Sequence, residues 1–593
     1  MTAAHGAPPG RAAGVSAPQV LRQYALLADG RRGALIGPRG DVAWLCAPAW
    51  ESDAVFTSLL GGPGGYVVAP ADDRFVWGGF YEPGTLIWTS RWITTDAIVH
   101  SREALALPGE PHTLTLLRRV AAVRGDAVVR LLLDVSAGFG RQPLRDLTRD
   151  EHGWTGRAGD LYVRWHGAPQ AQPDASGVLH GELRLPPGGH HDLTLQLSTR
   201  PFTGPAPDPD ERWPATAAAW QAAVPATVNG FSGRDARHAR AVLHGLTTPE
   251  GGMVAAATTS LPERAEAGRN YDYRYAWIRD QSYAGHAAAA AGADGLLDAA
   301  VRFVSQHLLT DGPALAPAYV AGSGQPVPDE QDLGFLPGYP GAPVRTGNWV
   351  NGQFQLDAFG EALLLLTVAA RRDRLDADGR RALHLAADTI ARRWRDPDAG
   401  IWELHPRPWT HSRLTCVAGL LRAAGAVTGP TATRWRDLAG AILADTQATC
   451  LHPTGRWQRA PDDPRVDAAL LFPGIRGAVP PGDPRTAATL AAVRAELTED
   501  GYVYRFRADD RPLGGAEGAF LLCGYGMALA EQQAGNPVAA ARWFERNRAA
   551  CGPPGLYAEE YDVRQRQLRG NLPQAFVHAL LLETAATLPD PTG

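Results

Sequence analysis

Three stretches of this sequence hold the side chains best suited to acid–base chemistry on a polar ligand. The first, Arg269 to Tyr283 (RNYDYRYAWIRDQSY), carries five aromatics, three arginines and two aspartates. Aromatic faces stack on C–H-rich surfaces, while guanidinium and carboxylate groups address hydroxyls. A surface ion-pair patch around buried aromatics has a similar composition; the density of both kinds together favours a pocket loop. The second stretch, residues 400–412 (GIWELHPRPWTHS), sets Glu403 directly after Ile401 and Trp402. A carboxyl laid against apolar surface has its pKa raised by desolvation, and one kept protonated near neutrality can protonate a leaving oxygen. The third, residues 555–576, ends an apolar turn with adjacent Glu559 and Glu560. Neighbours on an extended segment point to opposite sides, so only one of the two can face a given pocket. The alternative for that pair is a solvated acidic face.

The elements that must position these residues change character near residue 230. Before it, short apolar runs such as GALIGPRGDVAWLCA, GGYVVAP, TLIWTSRWITTDAIVHS, AVVRLLLDVSA and HHDLTLQLS are punctuated by Gly, Pro and Asp. That spacing predicts an antiparallel β-sandwich. After it, ten segments repeat apolar residues at helical spacing, from RDARHARAVLHGL to LPQAFVHALLLETAATL, with no fixed-period repeat. Long loops rich in Gly, Pro, Trp, Arg and acidic residues separate them, which fits an all-α (α/α)6 barrel carrying a site on its loops. The boundaries expected are a disordered lead at 1–18, a β-sandwich domain at 19–205, a helical linker at 206–233 and the barrel at 234–593.

Composition narrows the chemistry. Every basic residue is arginine, with no lysine among 593 residues. Phosphate-binding P-loop lysines, Schiff-base lysines and kinase lysines are therefore excluded. Net charge is −5 and no basic tract occurs, so a nucleic-acid partner has no electrostatic footprint. Five scattered cysteines without a CxxC pair suit reduced thiols rather than disulfides or a zinc site. No apolar run reaches bilayer length, and the amino-terminal segment lacks the apolar core of a signal peptide. The expectation is a cytoplasmic protein with no membrane partner, needing no metal and no cofactor; its oligomeric state is open.

Taken together, the three segments resemble glycoside hydrolase family 15, the glucoamylase-type family that includes trehalases and α-glucosidases. The resemblance runs over nearly the whole chain, through GALIGPRGDVAWLCAPAWESDAVFTSLLGG, MVAAATTSLPERAEAGRNYDYRYAWIRDQSY, GYPGAPVRTGNWVNGQFQLDAFGEAL, GIWELHPRPWTHSRL, YRFRADDRPLGGAEGAFLLC and GLYAEEYDVRQRQLRGNLPQAFVHALL, in that order. It implies a β-sandwich followed by an (α/α)6 barrel with its active site in the barrel mouth. It implies Glu403 as general acid and Glu559 as general base of an inverting hydrolase that releases β-glucose from small α-glucosides or oligosaccharides. Trp277, Arg279, Asp280, Trp349, Trp402 and Arg505 would bind the sugar. Competing readings are an inverting disaccharide phosphorylase, a glucosyl-transferring relative and a catalytically dead sugar-binding protein. The presence of both glutamates argues against the first and the last.

Overall fold

The computed structural model describes residues 17–225, 230–264, 269–340, 342–508 and 511–589. Residues 1–16, most of the expected disordered lead, lie outside them.

Two eight-stranded antiparallel sheets build the amino-terminal part. The first runs Ala25–Ala28, Gly33–Ile36, Asp41–Cys46, Gly65–Pro70, Ala127–Asp134, Leu179–Leu185 and Gln172–Pro173, with Ala54–Phe56 added beside Asp41–Cys46. The second runs Arg145–Arg149, Gly153–Ala158, Leu161–His166, His190–Ser198, Thr113–Arg124, Ile98–Leu105, Trp88–Ile93 and Val76–Tyr81. Their facing sides share a core that includes Leu27, Val68, Trp88, Trp92, Leu131 and Trp165. The first sheet is buried on its other face too: Leu26, Leu35, Trp44 and Trp50 pack into the helical core. This explains why its strands read as continuous apolar runs. Alternation in Ile98–Leu105 of the second sheet is the signature of a strand with one wetter face.

The helical part closes on itself. Helices α4 (Ile278–Ala290), α6 (Leu356–Arg371), α8 (Thr410–Ala424), α10 (Phe472–Arg476), α12 (Leu521–Gln533) and α14 (Ala575–Thr587) each touch the next, and α14 returns to α4. Outside them pack α3 (Gly233–Leu246), α5 (Asp294–Asp311), α7 (Ala377–Arg393), α9 (Pro430–Cys450), α11 (Pro484–Glu496) and α13 (Pro537–Arg548). (Here α1 denotes the distorted turn Ala137–Gly140, and α2 is Pro209–Ala223.) The ring is an (α/α)6 barrel. Inner helices are apolar nearly all round because neighbours cover every side, as in LDAFGEALLLLT of α6, where Leu356 to Thr367 are all buried. Outer helices keep a polar face, as in α7 and α13.

Two inner helices escape periodicity. The segment 269–283, expected as a loop, turns helical at Ile278, so Arg279 and Asp280 occupy the first turn of α4. Burial of almost the whole of α4 erases the amphipathic pattern that would have announced it. Helix α10 is only five residues long and follows a 3-10 turn at Ala468–Leu471, too short for a period to register.

The two parts are keyed together just below the site. Trp44 donates its indole N–H to the Ala257 carbonyl at 2.9 Å. Arg274 pairs with Asp272 at 2.7 Å and also donates to the Ser52 carbonyl at 2.7 Å. The sandwich thereby braces the strand that delivers Tyr273, Trp277 and Arg279.

Candidate active site

The inner helices point their amino-terminal ends at one cavity. The residues just before α4, α12 and α14, which are Trp277, Phe520 and Gln574, line it, together with Arg279, Asp280, Trp349, Trp402, Glu403, Arg505 and Glu559. All eight residues singled out from sequence thus meet around one pocket. Tyr271, Tyr273, Glu263, Arg269 and Asn348 complete its wall.

Glu403 sits in a tight turn where Gly400 and Glu403 both take positive φ, +67° and +54°. A non-glycine residue in that region costs on the order of 1–3 kcal/mol and persists only when its surroundings hold it there. Here the Glu403 N–H donates to the Gly400 carbonyl at 3.1 Å. At the other end, Glu403 Oε1 accepts from the Trp277 indole at 2.7 Å, from Gln355 at 3.3 Å and from Arg279 at 3.5 Å. This corrects the seat expected from the Ile401–Trp402 dipeptide: the carboxyl meets three N–H donors, not apolar surface. The backbone turn carries Trp402 away from it, and the Trp402 indole is bound to Asp467 at 2.9 Å.

Arg279 ties this corner together. It contacts Asp280 at 3.2 Å and donates to Gln355 Oε1 at 3.2 Å. Burial pushes the Asp280 carboxyl up to about 6, against the opposing pull of Arg279. One turn into α6, Asp357 is likewise raised to about 6 by burial, with Arg279 opposing.

Glu559 occupies a different setting. It precedes the strand Glu560–Asp562, which pairs with Gln567–Arg569. Side-chain alternation turns Glu559 to the cavity and Glu560 away from it. Glu560 is fully buried; its Oε2 accepts the Gly518 N–H at 2.7 Å and its Oε1 lies 3.5 Å from Arg505. Arg505 is bound chiefly by Glu517, with contacts at 2.5 and 3.2 Å, and its guanidinium lies 5.5 Å over the Trp402 ring. Burial first, then the Glu263 carboxyl, raises Glu559 well above the usual carboxylate range, while Arg505 opposes both.

Trp349 is the exposed member, with 51% of its surface accessible at the cavity rim. Sequence reading missed Gln355, Tyr273 and Glu263. Gln355 had a signal: like Trp277, it stands immediately before an inner helix. Tyr273 lay within a segment already singled out, without being named. Glu263 had none, because a lone LPE tripeptide carries no pattern.

Comparison with known proteins decides the family. Residues 237–586 match the model of glycosyl hydrolases family 15. The chain belongs to that family. Residues 12–154 also match the trehalase-like amino-terminal domain. Among curated relatives, a trehalase of Mycobacterium tuberculosis is 30% identical over 95% of this chain and 88% of its own. A trehalase of Mycolicibacterium smegmatis is 30% identical over 95% and 90%. In fold, a bacterial glucoamylase solved with acarbose superposes over 100% of this chain and 97% of its own at TM-score 0.69 and 13% identity. The chain is therefore a glycosidase of the trehalase or glucoamylase type. No helix among the described residues is long and apolar enough to cross a membrane.

Proposed function

We propose that this glycosidase hydrolyses a small α-glucoside, with trehalose the first candidate, by single displacement with inversion, releasing β-glucose. The observation that carries the reading is the pairing of Glu403 and Glu559 on one cavity, each in a corner suited to a different task. Inversion needs one carboxylic acid to protonate the leaving oxygen and one carboxylate to take a proton from water on the opposite face, about 6.5–9.5 Å away.

Glu403 is the general acid in this reading. Its three donors all converge on Oε1, so they orient the carboxyl and leave Oε2 as the oxygen that carries the transferable proton. Glu559 is the general base, and water attacks the anomeric carbon as the glycosidic C–O bond breaks. Glu559 takes the water proton, Glu403 gives its own to the departing oxygen, and solvent resets both. Arg279 and Asp280 bind hydroxyls of the released glucose; Trp402 and Arg505 wall its subsite, and Trp349 faces the leaving sugar.

Hydrolysis is favoured over phosphorolysis by charge. Around Glu559, Glu263, Glu517 and Glu560 confront Arg269 and Arg505, and both guanidiniums are already engaged by Glu517 at 3.2 and 2.5 Å. A phosphate entering there meets excess negative charge, with both nearby guanidiniums among the described residues already paired.

The trehalase relatives support trehalose as substrate, and a panel of α-linked disaccharides assayed with and without phosphate tests it. Proton NMR tests the stereochemistry: β-glucose accumulates before mutarotation. An early α-anomer would rule out inversion, since retaining enzymes bring their carboxyls to about 5–5.5 Å and release the α form first. The profile of kcat/KM against pH falls on the acid side as Glu559, raised by burial, takes a proton.

A further inference from the structure

The inner helices point their amino-terminal ends at the cavity of Glu403 and Glu559, and their other ends enclose a second one. The last turns of α6, α8, α10, α12 and α14, with His286 of α4, surround a cavity of about 380 Å³. That volume lies in the range of small-molecule sites, ~300–1,000 Å³, and no step above uses it. Three arginines stand around it, each reaching over the end of another inner helix. Arg371 of α6 brings Nη2 to 3.6 Å from the place a Cβ on Gly425 would take, just past α8. Arg422 of α8 brings Nη2 to 2.9 Å from the corresponding place on Gly477, just past α10, and its Nε donates to the Arg476 carbonyl at 3.2 Å. Arg476, which ends α10, crosses to α14, where Glu583 accepts from both its terminal nitrogens; its Nη1 also lies 3.1 Å from His286 Nδ1.

Arginines near helix carboxy-termini offset the partial negative charge there. In the outer helices such arginines also find a carboxylate: Arg393 of α7 pairs with Asp396 at 3.0 Å and Arg548 of α13 with Glu545 at 2.7 Å. Arg371 and Arg422 pair with no carboxylate among the described residues, and Glu583, the one acid lining the cavity, is taken by Arg476. Three guanidiniums less one carboxylate leave an excess of two positive charges, since His286 accepts from Arg476 in its neutral form. Burial first, then the Arg371 and Arg476 guanidiniums, lowers the pKa of Arg422, as cations crowded without an anion do. Buried polar atoms add to this. Thr367, 2% exposed, lines the cavity with an Oγ1 that has no partner among the described residues, and Arg476, 4% exposed, does so with its Nε. The buried Oε1 of Gln532, equally unpartnered, is an acceptor and needs a donor. A ligand that joins an oxyanion to hydroxyls answers the guanidiniums and Gln532 together. A phosphate ester brings about −1.5 to −2 charges and three acceptor oxygens, which matches the excess.

We propose that this cavity, at the carboxy-terminal end of the barrel, binds a small phosphorylated polyol, its phosphate on Arg371, Arg422 and Arg476 and its hydroxyls on Thr367 and Gln532. The ligand does not meet the glycoside, because the two cavities lie at opposite ends of the inner helices.

Titration calorimetry of the full chain with sorbitol 6-phosphate tests this, with inorganic phosphate and sorbitol as the other arms. The ester is open-chain, so it offers the cavity of Glu403 and Glu559 no sugar ring. The ester is expected to bind, phosphate to bind at least ~10-fold more weakly for want of the hydroxyl contacts, and sorbitol not to bind. R371A and R422A should each weaken the ester about ten- to hundredfold, the worth of hydrogen bonds to a charged group. Both side chains are exposed, so the melting temperatures of the unliganded variants should stay close to wild type. These binding arms rest on nothing in the reaction proposed above. Hydrolysis is followed alongside, and competition between ester and glycoside is not expected. No binding of the ester, undiminished binding in both R371A and R422A, or a KM that climbs without limit as ester is added overturns the proposal. Equal affinity for phosphate and ester overturns the part given to Thr367 and Gln532.

Discussion

The two corners of the cavity hold their glutamates by opposite means. At Glu403, one oxygen collects donors from an indole, an amide and a guanidinium delivered by the starts of α4 and α6. At Glu559, carboxyls outnumber cations, and the buried Oε2 receives no N–H or O–H from any described residue. Directional N–H donors, one of them the Arg279 guanidinium, orient a carboxyl. Crowded carboxyls set its protonation instead. Under the proposed roles, position on the substrate assigns acid and base, while the surroundings of the two carboxyls differ: directional donors at Glu403, crowded carboxyls at Glu559.

The sharpest way to break the comparison is to neutralise each carboxyl. E403Q and E559Q are each expected to lose 10²–10⁴-fold or more in kcat, within the range of acid or base assistance, with thermal transitions close to wild type. The comparison fails if E560Q loses more than E559Q, since Glu560 faces away from the cavity.

Next in size is Arg505→Ala. It removes one of the two cations paired with Glu517 and the one beside Glu560, both glutamates buried. Breaking a buried pair by removing one partner costs about 3–5 kcal/mol, so the melting temperature should fall together with activity. Trp277→Phe deletes one donor to Glu403 and leaves Gln355 and Arg279. One hydrogen bond to a charged group is worth ~1.5–3 kcal/mol, and two surviving donors put the effect at the low end, about tenfold in kcat with little change in melting temperature. A melting-temperature loss in Trp277→Phe as large as in Arg505→Ala would erase the distinction between the corners.

How far this was legible in the sequence follows from the same physics. Strands of the first sheet announced themselves as short apolar runs and the amphipathic outer helices by period, and the family resemblance supplied the order of the inner elements. Helices α4 and α10 were missed because one is buried on nearly every side and the other spans five residues. The eight residues named from sequence do gather on one cavity. What single-residue motifs could not give is who touches whom. Ile401 and Trp402 suggested an apolar seat for Glu403, but the positive φ at Glu403 swings its side chain to Trp277, 126 positions earlier. Glu263 and Glu559 lie almost 300 positions apart, and hydrogen bonds such as Gly570 N–H to the Pro262 carbonyl and Leu261 N–H to the Asn571 side chain bring their segments alongside.

The smallest expected effect lies outside both corners and therefore calibrates them. Trp349 stands on the rim, half exposed, just after Asn348, whose side chain caps its short 3-10 turn by accepting the Val350 N–H at 3.0 Å. In the proposed reading it acts only by covering the leaving sugar. Stacking on one aromatic face is worth ~0.5–1.5 kcal/mol, which corresponds to a rise in KM of roughly two- to tenfold in Trp349→Ala. Such a contact is formed equally in ground and transition states, so kcat should stay near wild type. The effect should also depend on the leaving group: present with a disaccharide, absent with a small aryl or fluoride aglycone that does not reach the rim. A fall in kcat at unchanged KM would mean that Trp349 acts in the transition state, and the division between rim and corners would have to be redrawn.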